Sequence, residues 1–152
     1  MDANSRALLS TVVPELQRRV LATEQACNAQ GVSIVMHSGR RTYAQQLALW
    51  NARASNPNPA ARPGTSRHET GLAVDMTPSP RTTAAWNVLW NAASNAGLAL
   101  GKNFSRSDPP HFELPSGATD EATAGAIGFD VSSIPPEGIA LAAVALIIIL
   151  IL

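Results

Sequence analysis

Apolar residues recur with a helical period in the first thirty residues of the chain. This stretch predicts helix, and Pro14 suits the first turn of a second helical segment, where Glu15 complements the helix dipole. Gly31 follows as a C-terminal stop. The predicted apolar face of this segment consists of Leu16, Val20, Thr23 and Cys27.

Two further helices are predicted downstream. Thr42 is placed to cap a helix that runs through Ala52, and the apolar side of that helix is predicted to carry Tyr43, Leu47 and Trp50. Another helix opens at Thr82 or Thr83 and ends at Gly97. Its residues at the 3.6 period are Trp86, Leu89, Trp90 and Ala93, which predicts a helix packed on a core.

Short runs of β-branched and apolar residues predict strands between these helices. Residues 32–36 and 71–76 are the two main runs, and residues 111–114 form a third that is shorter. Residues 54–64 contain three prolines and two asparagines, which predicts a loop.

The C-terminal region differs in composition from the rest of the chain. Residues 115–138 are small and polar and predict a flexible linker after a domain that covers residues 1–114. Residues 139–152 carry no polar side chain, and as a helix they would rise about 21 Å, less than the roughly 30 Å of a bilayer core. This pattern favours a partial or truncated membrane segment over the alternative, a buried core helix.

Charge and cysteine content exclude several classes of protein. Lysine plus arginine and aspartate plus glutamate number 11 each, and no basic block is present, which argues against a nucleic-acid-binding protein. Cys27 is the single cysteine, so no internal disulfide exists, and its helical context favours a buried thiol over the nucleophile of a Cys–His hydrolase. The first residues lack the basic start and apolar run of a secretion signal.

Candidate chemistry is concentrated in two segments, residues 66–75 and residues 108–113. Two histidines and one carboxylate, here His68, His111 and Asp75, are donors that a catalytic zinc ion takes while it keeps a position open for water. A further carboxylate near that water can accept its proton, and Asp108 stands three residues before His111 across two prolines. On spacing alone, a histidine and an aspartate seven residues apart are weak evidence.

The motifs resemble those of a known family. The pattern Ser-x-His-x-x-Gly-x-Ala-x-Asp at residues 66–75 is similar to the signature of the VanY-type D-Ala-D-Ala carboxypeptidases. Relatives of these enzymes include the L-alanyl-D-glutamate endopeptidases of phage endolysins and, more distantly, the hedgehog domain. An Asp-x-x-His motif at 108–111 and the sequence Ser-Gly-Arg-Arg-Thr at 38–42 match two further family elements in the same order.

The resemblance implies a role for seven residues. It implies one zinc ion held by His68, Asp75 and His111. It implies Asp108 as the general base and Arg41 as the cation that steadies the substrate carbonyl or the developing oxyanion. Two further positions align close to the substrate, namely Ser66 and Gln46.

The fold and the substrate follow from the same resemblance. We expect an α+β domain in which a small, mainly antiparallel sheet carries the zinc site and helices flank it. The expected substrate is a peptidoglycan stem peptide, cut at the cell wall by a chain attached to the membrane through residues 139–152.

The motifs do not determine which peptide bond is cut. The Asp at 108 and the His-Phe-Glu at 111–113 resemble the endopeptidase branch, whereas residues 63–66 and 70–72 resemble the carboxypeptidase branch. Arg40 replaces the usual aromatic residue before Arg41. A non-catalytic, membrane-tethered module that keeps its zinc is the alternative from a different class, and the presence of Asp108 speaks against it.

Overall fold

Helices and one antiparallel sheet build the part of the chain that the computed structural model describes, residues 1–55 and 60–118. In chain order the elements are α1 (Ala3–Leu9), α2 (Pro14–Asn28), β1 (Ser33–Ser38), α3 (Tyr43–Asn51), β2 (Ala73–Ser79), α4 (Thr83–Asn95), β3 (Ala99–Leu100) and β4 (His111–Glu113). Single 3₁₀ turns follow α3 and β3. The predicted α+β class is confirmed.

The helices begin where the sequence places their caps. Pro14 occupies the first turn of α2. Thr42 forms a capping box with Gln45, in which each side chain bonds the backbone N–H of the other residue. The Thr82 hydroxyl accepts from the backbone N–H of Ala85 at the start of α4. The first thirty residues are divided, as expected, into two helices.

The four strands lie in the order β1-β2-β4-β3, and every neighbouring pair is antiparallel. Strand β2 is longer than the predicted run 71–76, since it continues to Ser79 alongside β1. The prediction missed β3, a strand of only two residues. In both places pairing with another strand, rather than local composition, defines the element.

One face of the sheet forms the core with α2 and α4. The residues that it buries include Ile34, Met36, Val74, Met76 and Phe112. The predicted face of α2 packs against it, because all four of its residues are fully buried. On α4, Leu89 and Ala93 are fully buried, while the stacked rings of Trp86 and Trp90 are partly buried against the same core.

The predicted packing of α3 is wrong. Tyr43 and Leu47 are 62% and 39% exposed, and the one buried residue of this helix is Gln46. The helix lies beside a polar cleft, so its inner side presents an amide that has hydrogen-bond partners there. The helical period located the helix correctly, but it could not show which side faces inward.

The C-terminal predictions concern residues outside the described part of the chain. The predicted linker 115–138 is described only as far as residue 118, and the apolar segment 139–152 is not described. Within residues 1–55 and 60–118, no helix has the length and apolarity needed to cross a membrane.

Candidate metal centre and its cleft

Strand pairing places three polar residues side by side on the face of the sheet opposite the core. Asp75 of β2 lies opposite His111 of β4, and on the other side it lies opposite Ser38 of β1. Directly paired residues in a sheet point to the same face, so the three side chains share one surface. The neighbours Val74 and Phe112 point into the core instead.

A tight turn before β2 carries His68. The carbonyl of His68 accepts from the backbone N–H groups of Arg41, at 3.0 Å, and of Gly71, at 3.1 Å. Gly71 has a φ of +71°, which side-chain-bearing residues rarely adopt, so the glycine of the motif is what allows the turn. The Glu69 carboxylate accepts from the backbone N–H groups of Gly64 and Ser66 and thereby braces the loop before the histidine.

A second loop, between β3 and β4, carries Asp108. It folds over Gly101, whose carbonyl accepts from the Asp108 N–H at 2.9 Å. A Cβ atom on Gly101 would lie only 2.4 Å from the Asp108 carbonyl oxygen and 2.7 Å from the His111 Cβ, so only glycine fits there. The indole N–H of Trp90 donates to the Pro109 carbonyl at 3.2 Å and holds the same loop against α4.

His68, Asp75 and His111 converge on one point. The His68 Nε2 atom lies 3.3 Å from His111 Nδ1, and each of these nitrogens lies 3.4 Å from Asp75 Oδ1. Donors at the usual zinc distance of about 2.0–2.1 Å in tetrahedral geometry are about 3.3–3.4 Å apart. The triangle of donor atoms therefore has the size that a zinc ion requires.

The outer nitrogens of both histidines are engaged by acceptors. His68 Nδ1 donates to the Gly39 carbonyl at 3.0 Å, and His111 Nε2 donates to Glu113 Oε2 at 2.9 Å. In the neutral rings this leaves the lone pairs of the inner nitrogens facing one carboxylate oxygen. Three electron pairs that converge in this way repel one another unless a proton or a metal cation lies between them, so the donor set fits a metal ion.

The electrostatics of the metal-free residues agree with this picture. Burial by itself would raise the pKa of Asp75, but the hydrogen bonds and charges of His111, His68 and Arg41 outweigh it and hold that pKa well below its usual range. For His111, burial lowers the pKa, whereas Asp75 and Glu113 raise it, and the result is a pKa of about 9. Each inner group thus attracts positive charge.

A cleft of about 610 Å³ opens over this centre. All seven residues named from the motifs line it. The Arg41 guanidinium pairs with Asp75 Oδ2, the oxygen that faces away from the two histidines. Gln46 is buried, and its amide donates to the Ala61 carbonyl at 2.9 Å. Ser66 is also buried, in the turn that precedes His68.

Asp108 lines the cleft without joining the group of converging donors. Burial and the negative charge of Asp75 raise the pKa of the Asp108 carboxyl, and the electrostatic contributions of His111, His68 and Arg41 only partly oppose this. A raised pKa makes a carboxylate a better proton acceptor. The position and charge of Asp108 therefore suit proton transfer beside a metal.

Two further residues of this site were not assigned a role from the motifs. Glu113 bonds His111 and also forms an ion pair of 3.3 Å with the Arg67 Nε atom. His37 lies in the wall of the cleft. A carboxylate two residues from a candidate ligand on the same strand, and hence on the same face, is the signal that identifies Glu113. No sequence signal identifies His37.

Most of the described chain matches the model of a known protein family. The family model VanY, described as D-alanyl-D-alanine carboxypeptidase, matches residues 10–106. The chain belongs to the VanY family. The matched range includes His68 and Asp75 and ends before Asp108 and His111. No curated protein matches the chain.

Solved structures share the VanY-type fold at low sequence identity. An L-Ala D-Glu endopeptidase, ChiX of Serratia marcescens, has 23% identity and a TM-score of 0.56, with 75% of this chain and 88% of that chain covered. A VanY D,D-pentapeptidase of a VanB-type resistance cassette, solved with Zn(II), has 20% identity and a TM-score of 0.57, covering 68% and 72%. The LdcB LD-carboxypeptidase has the same identity and TM-score, and the match covers 68% of this chain and 58% of that one.

Proposed function

We propose that this VanY-family chain is a zinc-dependent peptidase that hydrolyses peptidoglycan stem peptides. The observation that carries the proposal is the triangle of His68, Asp75 and His111 donor atoms, 3.3–3.4 Å on a side, at the base of a cleft that Asp108 also lines. The VanY relative solved with Zn(II) supports zinc as the ion. When bound, the zinc supplies a Lewis acid that activates water and polarises the substrate carbonyl.

Asp108 is the proposed general base. Its carboxylate takes a proton from the attacking water and returns it to the amine that leaves when the peptide C–N bond breaks. The raised pKa of Asp108 suits both steps, because a stronger base accepts the proton readily and can hold it until the amine departs. The loop that packs over Gly101 keeps this carboxylate close to His111.

Arg41 is proposed to stabilise negative charge on the substrate. Its Nη2 atom pairs with Asp75, and its Nη1 atom donates to the Gln46 side-chain oxygen at 3.5 Å in the wall of the cleft. A guanidinium held in place by a half-buried carboxylate and an amide is ordered before the substrate arrives, which favours stabilisation of the carbonyl oxygen as it gains charge. Ser66 and Gln46 are the proposed polar contacts to the peptide, since both are buried in the cleft wall.

The substrate class rests on the family. The family model is described as a D-alanyl-D-alanine carboxypeptidase, and solved relatives include a D,D-pentapeptidase and an L-Ala D-Glu endopeptidase. The two candidate bonds are therefore the terminal D-Ala-D-Ala bond and the L-Ala-D-Glu bond. In either case the proposed place of action is the cell wall.

The proposed function is tested with the full chain, loaded with zinc and incubated with a muropeptide that carries the pentapeptide stem. Mass spectrometry then identifies the products. Release of one alanine assigns the carboxypeptidase reaction, and release of the peptide after L-Ala assigns the endopeptidase reaction. Asp108→Ala should retain zinc and lose about 10²–10⁴-fold in rate, whereas His68→Ala should lose the zinc as well.

The matched control for Asp108→Ala is Asp2→Ala. Asp2 is a carboxylate at the N-cap of α1, remote in sequence from both site loops, and its loss should leave the reaction unchanged. If the folded, zinc-loaded chain yields no product from either bond, the peptidase proposal fails for this substrate. That outcome would favour the non-catalytic zinc-containing binding module.

A further inference from the structure

One end of the cleft is built from residues that the proposed reaction does not use. There His37 Nε2 lies 2.8 Å from the Thr77 hydroxyl and 3.2 Å from the Arg81 Nη2 atom, and all three residues line the cleft. We call these three residues the cationic end. His37 lies in β1, Thr77 lies in β2 on the same face of the sheet as Asp75, and Arg81 follows the end of β2.

A β-bulge keeps Ser38 on this surface beside His37. Met36 pairs with Met76 and Ser38 pairs with Asp75, so β1 uses one more residue than β2 at this point, and the extra residue is His37. Regular alternation would have turned Ser38 towards the core. With the bulge, His37 and Ser38 both reach the polar face, where His37 contacts Thr77 and Ser38 contacts His68.

Arg81 differs from the paired arginines of the cleft. Arg41 pairs with Asp75, and Arg67 pairs with Glu113. Arg81 has no carboxylate partner within residues 1–55 and 60–118, and its hydrogen bond goes to a histidine nitrogen. A guanidinium offers five N–H donors and binds a carboxylate more strongly than a neutral acceptor, so an anion that enters the cleft is a better partner than His37.

The charge of the whole cleft also favours an anionic ligand. Four arginines line it, and three carboxylates oppose them. A divalent ion at the metal centre would add to the positive side. Two of the carboxylates already have arginine partners, and Arg81, which has no carboxylate partner in the described part of the chain, is exposed to solvent.

The spacing matches a peptide bound in an extended conformation. Thr77 follows Asp75 by two residues on β2, which is about 6.6 Å along the strand. A substrate whose scissile carbonyl lies at the metal centre thus places a group about two residues away beside Thr77 and Arg81. A stem peptide has such a group, because its glutamate is joined through the γ-carboxyl and keeps a free α-carboxylate within the chain.

We propose that His37, Thr77 and Arg81 form a subsite for an internal carboxylate of the substrate peptide, separate from the residues that act on the scissile bond. The carboxylate accepts from the Arg81 guanidinium and the Thr77 hydroxyl. Once Arg81 has moved to the carboxylate, the His37 Nε2–H donates to the Thr77 oxygen and holds that hydroxyl in position. The subsite rests on the proposed function, because it requires a peptide that spans the metal centre.

The test uses the full zinc-loaded chain and three synthetic stem pentapeptides. The first has a free glutamate α-carboxylate, the second has that group as a carboxamide, and the third has only its C-terminal carboxylate amidated. Binding is measured by calorimetry in an Asp108→Ala background, so that no peptide is consumed, and KM is measured in the catalytically competent chain. Amidation of the internal carboxylate should weaken binding about tenfold.

Arg81→Gln removes the charge and keeps the size. It should weaken binding of the first peptide to the level of the second, and the two peptides should then bind alike. Arg81→Lys should restore part of the preference. The matched control is Arg53→Gln, since Arg53 stacks on the Trp50 ring and does not line the cleft. This control should keep the full tenfold preference.

The outcomes separate this proposal from the proposed function. If the chain cuts the first peptide but Arg81→Gln keeps the preference, the subsite is overturned and the peptidase function stands. If Arg81→Gln instead abolishes the preference for a free C-terminal carboxylate, measured with the third peptide, the subsite is also overturned. If no peptide is bound or cut by the folded zinc-loaded chain, both proposals fall.

Discussion

The two faces of the central sheet are made from alternate residues of the same strands, yet they have opposite character. On one face Val74, Met76 and Phe112 are fully buried against α2 and α4. On the other face Asp75 and His111 carry charge and hydrogen bonds at the base of a cleft. A shift of one residue in register would exchange the two sets, so the register that builds the core also assembles the candidate metal centre.

Neighbouring residues of one strand therefore serve different purposes: one side chain contributes to stability, and the next belongs to the candidate metal centre. The apolar face is part of the buried core that holds the domain together. The polar face brings together donor atoms that attract a proton or a metal ion. Substitutions on one face should therefore change stability, and substitutions on the other should change metal affinity and activity.

The largest expected effect is that of His111→Ala on the polar face. Loss of one of three candidate ligands should reduce peptidase activity more than about a thousandfold, because the contribution of a catalytic metal is several kcal/mol. The free energy of unfolding of the metal-free protein should fall by about 2 kcal/mol at neutral pH, because the raised pKa of His111 reflects pairing with Asp75 and Glu113 that the substitution removes. Zinc competition titration and chemical denaturation measure the two quantities. Retention of wild-type zinc affinity would remove His111 from the ligand set.

The next largest effect is expected one residue further on, at Phe112. This ring is fully buried in the core, so Phe112→Ala should lower the free energy of unfolding by about 3–5 kcal/mol. Phe112→Leu, which keeps most of the volume, should cost less than about 1.5 kcal/mol. Denaturation of the metal-free variants by urea provides the measurement. An unchanged midpoint for Phe112→Ala would contradict the division between the faces.

A smaller effect, on zinc affinity, is expected for Glu113→Gln. Glu113 lies on the polar face. Glu113 accepts from His111 Nε2 at 2.9 Å and so orients the ring with Nδ1 towards the candidate metal centre. Loss of its charge should weaken zinc binding about 10–100-fold. Glu69→Gln is the matched control, because within residues 1–55 and 60–118 the Glu69 carboxylate bonds only backbone N–H groups of the neighbouring loop. Equal effects of the two substitutions on zinc affinity would show that Glu113 has no special role.

The smallest expected signal comes from Cys27, on the helix that covers the apolar face. Burial raises the pKa of this thiol to about 11. Since the raised pKa favours the neutral thiol, the reactive thiolate is scarce below pH 11, and at pH 8 its fraction is about 0.1%. A thiol reagent should modify the native protein at least about 100-fold more slowly than the urea-unfolded protein. Rapid native modification, or loss of peptidase activity on alkylation, would revive the Cys–His alternative.

Most of the secondary structure could be predicted because its signals are local. Helix caps such as Thr42 and the proline at 14 act within one turn, and the apolar face of α2 needs only the 3.6-residue period. The side on which α3 packs was predicted wrongly, because that side depends on a cleft formed by distant loops. The ends of β2 and the existence of β3 depend on pairing partners more than ten residues away.

The candidate site, too, has parts that local sequence motifs predicted and parts that they did not. The seven residues named from the motifs all line one cleft, and three of them bring donor atoms within 3.3–3.4 Å of one another. The roles assigned to them remain predictions until the variants are measured. The parts that the motifs did not reveal are the links between segments, such as the pairing of Arg67 with Glu113 and the contact of Arg81 with His37.

The sequence by itself determined the α+β class, the helix starts and the membership of a family with known motifs, since each depends on residue types at short, regular spacing. Only the tertiary structure decided the bulge that places Ser38 beside His37 on the polar face, the burial of Gln46 and the close fit of Gly101 beneath the Asp108 loop. Each of these depends on segments at least seven residues apart that meet in space, and such contacts leave no periodic trace in the chain.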